Sequence, residues 1–274
     1  MYLMSNGRAS RATDLSELWL SVGASSPRKP LRGRARRARE SPLSVDEIVR
    51  AAIGVADAEG AGALNMRRIA QELGAGTMSL YWHVADKDQL LDLMLDTIYC
   101  EDLPVEVTGD WRADLGRVAH RVRENLWRHR WAIDFIGGRP PHGPNTLLLV
   151  EQSLATLDAA RVDALEALYI LTSVNTYVLG AVLREMQELR GEREEQSSGL
   201  SPEQVEAQVA EWRSRLEGSG LFPRLVGLLG QGIDPDATET RDERFEFGLT
   251  CVLDGVAARV EGSRGNRPDR GWRP

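Results

Sequence analysis

The sequence predicts an all-α protein, and three observations carry that prediction. Apolar residues recur at alternating spacings of three and four along most of the chain, as in helices with one buried face. Helix-starting chemistry precedes several of these runs, most clearly Ser44-Val45-Asp46-Glu47 and Ser201-Pro202-Glu203-Gln204. No run alternates apolar and polar residues as a half-buried strand would.

The elements follow in order. After the Ser44 capping box, Val45, Ile48, Ala52 and Val55 mark a first helix that stops at Gly60 or Gly62. Asn65 suits the N-cap of a second, with Met66, Ile69, Ala70 and Leu73 inward, and Gly74-Ala75-Gly76 breaks it. Thr77 is read as the cap of a third helix of about two turns, to His83 or Val84, with Leu80 and Val84 inward. Asp86-Lys87-Asp88-Gln89 opens a fourth, burying Leu90, Leu91, Met94, Leu95 and Ile98. Beyond these, Asp110 caps a long helix with Trp111, Leu115, Val118, Val122 and Leu126 on its inner face, and Gly137-Gly138-Arg139-Pro140-Pro141 breaks the pattern.

Helices are then expected over 144–160 and 163–189. The second is apolar nearly all round (Ile170, Leu171, Val174, Val178, Leu179, Ala181, Val182, Leu183) and must be covered on two sides. Residues 190–200, RGEREEQSSGL, read as a polar linker. The Ser201 helix ends at Gly218, turn-rich GQGIDPDATET follows, and a last helix over 241–261 carries Phe245, Leu249, Val252, Val256 and Val260.

Composition limits the function. A hydrophobic content of 42% in 274 residues is enough for a real core. No basic start leads into an apolar stretch of about 7–15 residues, and no run approaches the roughly 18 of a membrane span. A cytoplasmic protein without a membrane partner is expected. Cys100 and Cys251 are isolated thiols in no ligand-like spacing, so neither disulfide, metal site nor cofactor is expected.

The net charge of −7 argues against a nucleic-acid partner until its distribution is considered. Residues 1–44 hold nine basic side chains (Arg8, Arg11, Arg28, Lys29, Arg32, Arg34, Arg36, Arg37, Arg39) against Asp14, Glu17 and Glu40, a local +6 that leaves −13 elsewhere. A basic arm on an acidic body draws DNA to one end only, although a solvated disordered tail would have the same composition.

Function concentrates after Gly76. A helix, a glycine-containing turn and a short helix bearing polar and aromatic side chains make a helix-turn-helix. Tyr81-Trp82-His83 places three large side chains in a row on that short helix, where they cannot all be buried, though Tyr81 or Trp82 singly could be core.

LNMRRIAQELGAGTMSLYWHVADKDQLLDLMLD (64–96) resembles the DNA-binding domain of the TetR (tetracycline-repressor) family, in which LYWHV followed by Lys is a specific signature. FIGGRP (135–140), ALYILTSVNTYVLGAVL (167–183) and FEFGLTCVLDGV (245–256) are similar to the tetracycline-repressor branch. The resemblance spans about 44–262. It implies a helix-turn-helix domain over 44–98 and a ligand-binding and dimerisation domain over 99–262, while composition alone reads 1–43 as a disordered basic arm and 263–274 as a disordered tail.

It also implies site residues. Arg67, Thr77, Met78, Ser79, Tyr81, Trp82, His83 and Lys87 would face a double-stranded operator. Arg67, Tyr81, His83 and Lys87 suit phosphates, Thr77 and Met78 suit base edges or thymine methyls, and Trp82 suits either. Arg34, Arg36, Arg37 and Arg39 are placed to enter the adjacent minor groove. A homodimer through helices 163–189 and 241–261 would read a palindrome with half-sites about 34–36 Å apart.

A small-molecule effector would sit among Trp111, Trp127, Trp131 and Phe135, with Gln152, Thr172, Asn175, Thr176 and Tyr177 as polar contacts. That composition suits a hydrophobic or aromatic ligand, although the same aromatics would also serve as core. The tetracycline repressor holds its drug with magnesium and histidines. Neither 135–140 nor 99–103 contains one here, so no metal carries over. An enzyme would have to use His120 with Glu124, His129 and His142. Periodicity puts His120 away from the inner face, and GxSxG, HExxH and P-loop patterns do not occur, so no catalytic residue is assigned.

Overall fold

The computed structural model describes residues 43–136, 143–233 and 237–264. Among them lie α1 (Val45–Glu59), α2 (Met66–Leu73), α3 (Thr77–Tyr81), α4 (Lys87–Cys100), α5 (Trp111–Arg128), α6 (Ile133–Ile136), α7 (Pro144–Ala155), α8 (Ala164–Ser197), α9 (Pro202–Ser219), α10 (Pro223–Gly230) and α11 (Arg241–Arg264), joined by short 3-10 turns and no strand. The chain divides into two compact units, Met1–Thr172 with Arg259–Pro274, and Ser173–Ala258.

In the first unit the local signals act as expected. Ser44 and Glu47 form the reciprocal capping box, Asn65 accepts from the Arg68 amide, and Asp86 accepts from the Gln89 amide, each such cap contributing about 1 kcal/mol. Gly74 ends α2 at φ 58°, a left-handed conformation that a side chain would strain. Ile48, Ala52, Val55, Ile69, Leu80, Val84, Met94 and Ile98 are buried together where α1 packs on α2 and α4.

Two expectations here need correcting. Gly76, not Thr77, is the N-cap of α3, and Thr77 takes the first helical position, so the helix starts on backbone geometry without a side-chain cap. The buried face of α5 is Asp114, Leu115, Ala119, Val122, Asn125 and Leu126, while Trp111 and Val118 are half-buried. Apolar spacing missed this because two of the inward residues are polar. Asp114 accepts from the Thr108 amide and hydroxyl, and Asn125 donates to the Ile98 carbonyl and to Asp102.

In the second unit, residues 190–197 are not a linker but the last turns of α8. Charges on and just before this stretch find partners on α11: one terminal nitrogen of Arg244 donates to both Glu188 carboxylate oxygens at 2.7 and 2.8 Å, Arg241 pairs with Glu188 and Glu192, and Arg184 pairs with Glu188 one turn along α8. α10 was not foreseen, and the Ser201 helix runs past Gly218 to a left-handed Gly220. Tyr177 stacks on Phe245 at 5.6 Å and donates to its carbonyl. Gly248 makes room for that ring, since a Cβ there would meet the hydroxyl at 2.4 Å.

α8 buries Ile170, Val174, Val178, Val182 and Met186 and leaves Leu165, Leu168, Tyr169 and Leu183 exposed. By length and composition Ala164–Glu194 could cross a bilayer, with 33% of its most apolar window buried. It holds no unbroken apolar run of that length, because Thr172, Ser173, Asn175 and Thr176 interrupt it.

Candidate nucleic-acid interface

α3 and the turn that follows it are held by two residues one helical turn apart. Leu80 and Val84 are wholly buried, and their burial turns the remaining side chains of α3 and its C-terminal turn outward. Trp82 is 86% exposed, Met78 72% and Tyr81 45%, with Ser79 and His83 also exposed and Thr77 half-buried. Three aromatic rings and a thioether in water on one short segment constitute a surface that burial against a partner would stabilise.

The two arginines that open α2 have different fates. Arg67 is exposed, whereas Arg68 pairs with Glu59 at 2.6 Å and Glu72 at 2.8 Å and so ties α2 to the end of α1. Lys87 is exposed in the first turn of α4, where its charge adds to the positive end of the helix dipole. Arg34, Arg36, Arg37 and Arg39 lie outside the described residues.

α4 runs from that surface into the region expected to bind an effector, and a buried carboxylate fixes it there. Asp96 accepts from the Thr146 amide and hydroxyl, both at 3.0 Å, and from the Asn145 side chain at 3.0 Å, capping α7 from a different helix. Gly143 permits this approach, since any Cβ would fall 2.0 Å from the carboxylate. A second carboxylate, Asp57 on α1, reaches the turn after α5. It accepts from the Trp131 indole at 2.8 Å and from His129 Nδ1 at 2.9 Å.

The aromatic residues expected to contact an effector do not form one cluster. Trp111 and Trp127 stand 16 residues apart on one helix, about 24 Å at 1.5 Å per residue. Trp127 lies under the Arg130 guanidinium, while Trp131 is buried 6.5 Å from half-buried Phe135. Gln152 accepts from the Val105 amide and Thr172 donates to Leu168 within its own helix. Asn175 and Thr176 are exposed, and Tyr177 is engaged with Phe245. His120 is half-buried rather than solvated.

A small cavity of about 90 Å³ in the first unit is lined instead by Asp102, Val105, Glu106, Arg117, Val118, Arg121 and Leu149. Its size is below the roughly 300 Å³ at which small-molecule pockets begin. Burial pushes the Asp102 carboxyl up to about 6, against the lowering effect of its Asn125 hydrogen bond and Arg121. The same burial, with Asp102 and Asp96 nearby, raises Tyr99. Asp114 goes the other way: burial alone would raise it, but the Thr108 hydroxyl and amide, Arg117 and the Gly109 amide hold it below the usual carboxylate range. These buried polar groups carry no signal in the apolar pattern, because Asp102 and Asn125 meet from 23 residues apart.

Comparison with known proteins agrees with this architecture. The chain matches the tetR family of bacterial regulatory proteins over residues 48–94 and the tetracyclin repressor-like C-terminal domain over residues 103–260. It is 32% identical over 234 residues to the HTH-type transcriptional repressor DrrR1 of Streptomyces coeruleorubidus, covering 85% of this chain and 84% of that one. ActR from Streptomyces coelicolor, solved without ligand, superposes with a TM-score of 0.63 at 31% identity over 82% of this chain and 100% of that one. ActR in complex with actinorhodin gives the same TM-score and identity over 80% and 99%. With both its reading head and its C-terminal region matched, the chain belongs to the TetR family of helix-turn-helix, DNA-binding transcriptional regulators.

Proposed function

We propose that the chain is a repressor that binds a palindromic operator as a homodimer and is released by a small hydrophobic or aromatic molecule. One observation carries the reading: Leu80 and Val84 are wholly buried while Met78, Ser79, Tyr81, Trp82 and His83 point into solvent. Thr77, Met78 and Ser79 contact base edges. Arg67, Tyr81, His83 and Lys87 bind phosphates, which set register without sequence information. The arginines of the preceding arm, Arg34, Arg36, Arg37 and Arg39, enter the minor groove.

The exposed apolar side chains of α8 and α11, Leu183 and Phe247 (74% exposed) among them, support the homodimer. An effector acts by binding better to the dimer whose heads no longer fit successive grooves, and a tenfold loss of DNA affinity needs only about 1.4 kcal/mol of such coupling. The repressor name of DrrR1 and the actinorhodin complex of ActR support the sign of regulation and the ligand class. A regulator of this kind works in the cytoplasm.

Fluorescence anisotropy with DNA from upstream of the chain's own gene tests the reading. Binding should be sequence-selective, weaken steeply with salt and be lost in Trp82→Ala and Arg67→Ala proteins of unchanged helicity. Salt-dependent binding that does not distinguish that DNA from a shuffled duplex would sink it.

A further inference from the structure

We infer that Asp57 is a positioning residue for operator recognition, holding the reading head at a set angle through the turn that follows α5. The inference rests on the proposal that paired heads read two half-sites. Asp57 lies in the last turns of α1, the helix against which α2 and α4 pack, so where α1 is held decides where α3 points. Its carboxylate leaves the DNA-binding helices and takes two donors from outside them: the Trp131 indole at 2.8 Å and His129 Nδ1 at 2.9 Å, with the other carboxylate oxygen 3.2 Å from the same nitrogen. A carboxylate only accepts, so Nδ1 carries the hydrogen.

Both donors are rigid. His129 and Trp131 are buried, their rings meet edge to face at 6.3 Å, and Trp131 continues to Phe135. The residue before His129 reaches α4: Arg128, the last of α5, pairs with Glu101, the C-cap of α4. One turn therefore touches both helices that frame the recognition segment, α1 by Asp57 and α4 by Glu101. Asp57 itself remains partly open to solvent, with its side chain 31% exposed, and contributes nothing to the apolar core of the head. A residue in that position changes orientation more readily than stability.

The test uses the full chain. Duplexes are selected from a random pool with the wild-type protein, and affinity for the selected duplex and for an unrelated one is measured at one salt concentration. Asp57→Ala is expected to lose at least about tenfold on the selected duplex and less than about twofold on the unrelated one, because phosphate contact survives misalignment whereas two-site registration does not. Trp131→Phe should lose part of the same preference, and the double variant no more than Asp57→Ala alone, as groups acting through one contact do. Should Asp57→Ala fold poorly, Asp57→Asn and Trp131→Phe carry the same two-duplex comparison.

Undiminished preference for the selected duplex, or equal losses on both duplexes, overturns the inference. A pool from which the wild type selects nothing, or a single half-site, overturns instead the dimeric reading on which it rests.

Discussion

The reading head and the second unit use apolar residues in opposite ways. In α1–α4 nearly every periodic apolar position is buried inside one chain, and what stays exposed is a short block, Met78 to His83, with a use in recognition. In Ser173–Ala258 the inner stripes of α8 and α11 are buried, yet Leu183, Val209, Trp212, Leu221, Phe222 and Phe247 remain in solvent. The head is a complete small core that leaves one compact aromatic surface outside. The second unit leaves apolar surface spread along its helices, which the proposed homodimer would cover.

The largest expected effect breaks the head from inside. Leu80→Ala removes a fully buried side chain and should cost about 2–5 kcal/mol, lowering the melting temperature and abolishing DNA binding, whereas Trp82→Ala should leave the melting curve unchanged and abolish only binding. If both variants melted early, the division between core and recognition faces in α3 would be wrong.

Next comes the other side of the comparison. Phe247→Asp should convert the protein to a monomer by light scattering, keep its helicity and weaken operator binding by far more than binding to a half-site. A dimer that persists would assign the exposed face of α11 to another partner.

A smaller effect separates buried charge from buried apolar surface. The folded Asp102 carboxyl keeps its proton up to about pH 6, whereas an unfolded aspartate loses it near 3.8. Stability therefore falls as pH rises through that window and stays lower above it, by up to about 3 kcal/mol. Asp102→Asn should raise the melting temperature at pH 7.5 and make little difference at pH 4. A flat difference across pH would mean that the carboxyl is better solvated than its burial indicates.

The smallest effect distinguishes two neighbours. Arg68→Ala, which breaks half-exposed pairs with Glu59 and Glu72, should lower the melting temperature slightly and cost little affinity, while Arg67→Ala should do the reverse.

How much of this was legible in the sequence follows the range of the interactions. Ser44 with Glu47, Asn65 with the Arg68 amide and Asp86 with the Gln89 amide act over three residues, so helix starts were readable from adjacent letters. The recognition surface was readable for a related reason: its inward residues, Leu80 and Val84, are one helical turn apart and dictate which neighbours must face out. The contacts beyond the head were not. Asp96 meets Thr146, Asp57 meets Trp131 and Gln152 meets Val105 across 47 residues or more, and no local pattern announces such partners.

By itself the sequence determined the helical class, the helix-turn-helix and the residues that its short second helix turns outward, because helix periodicity and capping are short-range effects of backbone hydrogen bonding and side-chain geometry. Only the tertiary structure decided which of two adjacent arginines stays free of the fold, how far α8 extends, and which carboxylates tie the reading head to the rest. Burial and pairing of charge depend on what the chain brings together from afar, and that information lies in packing rather than in spacing.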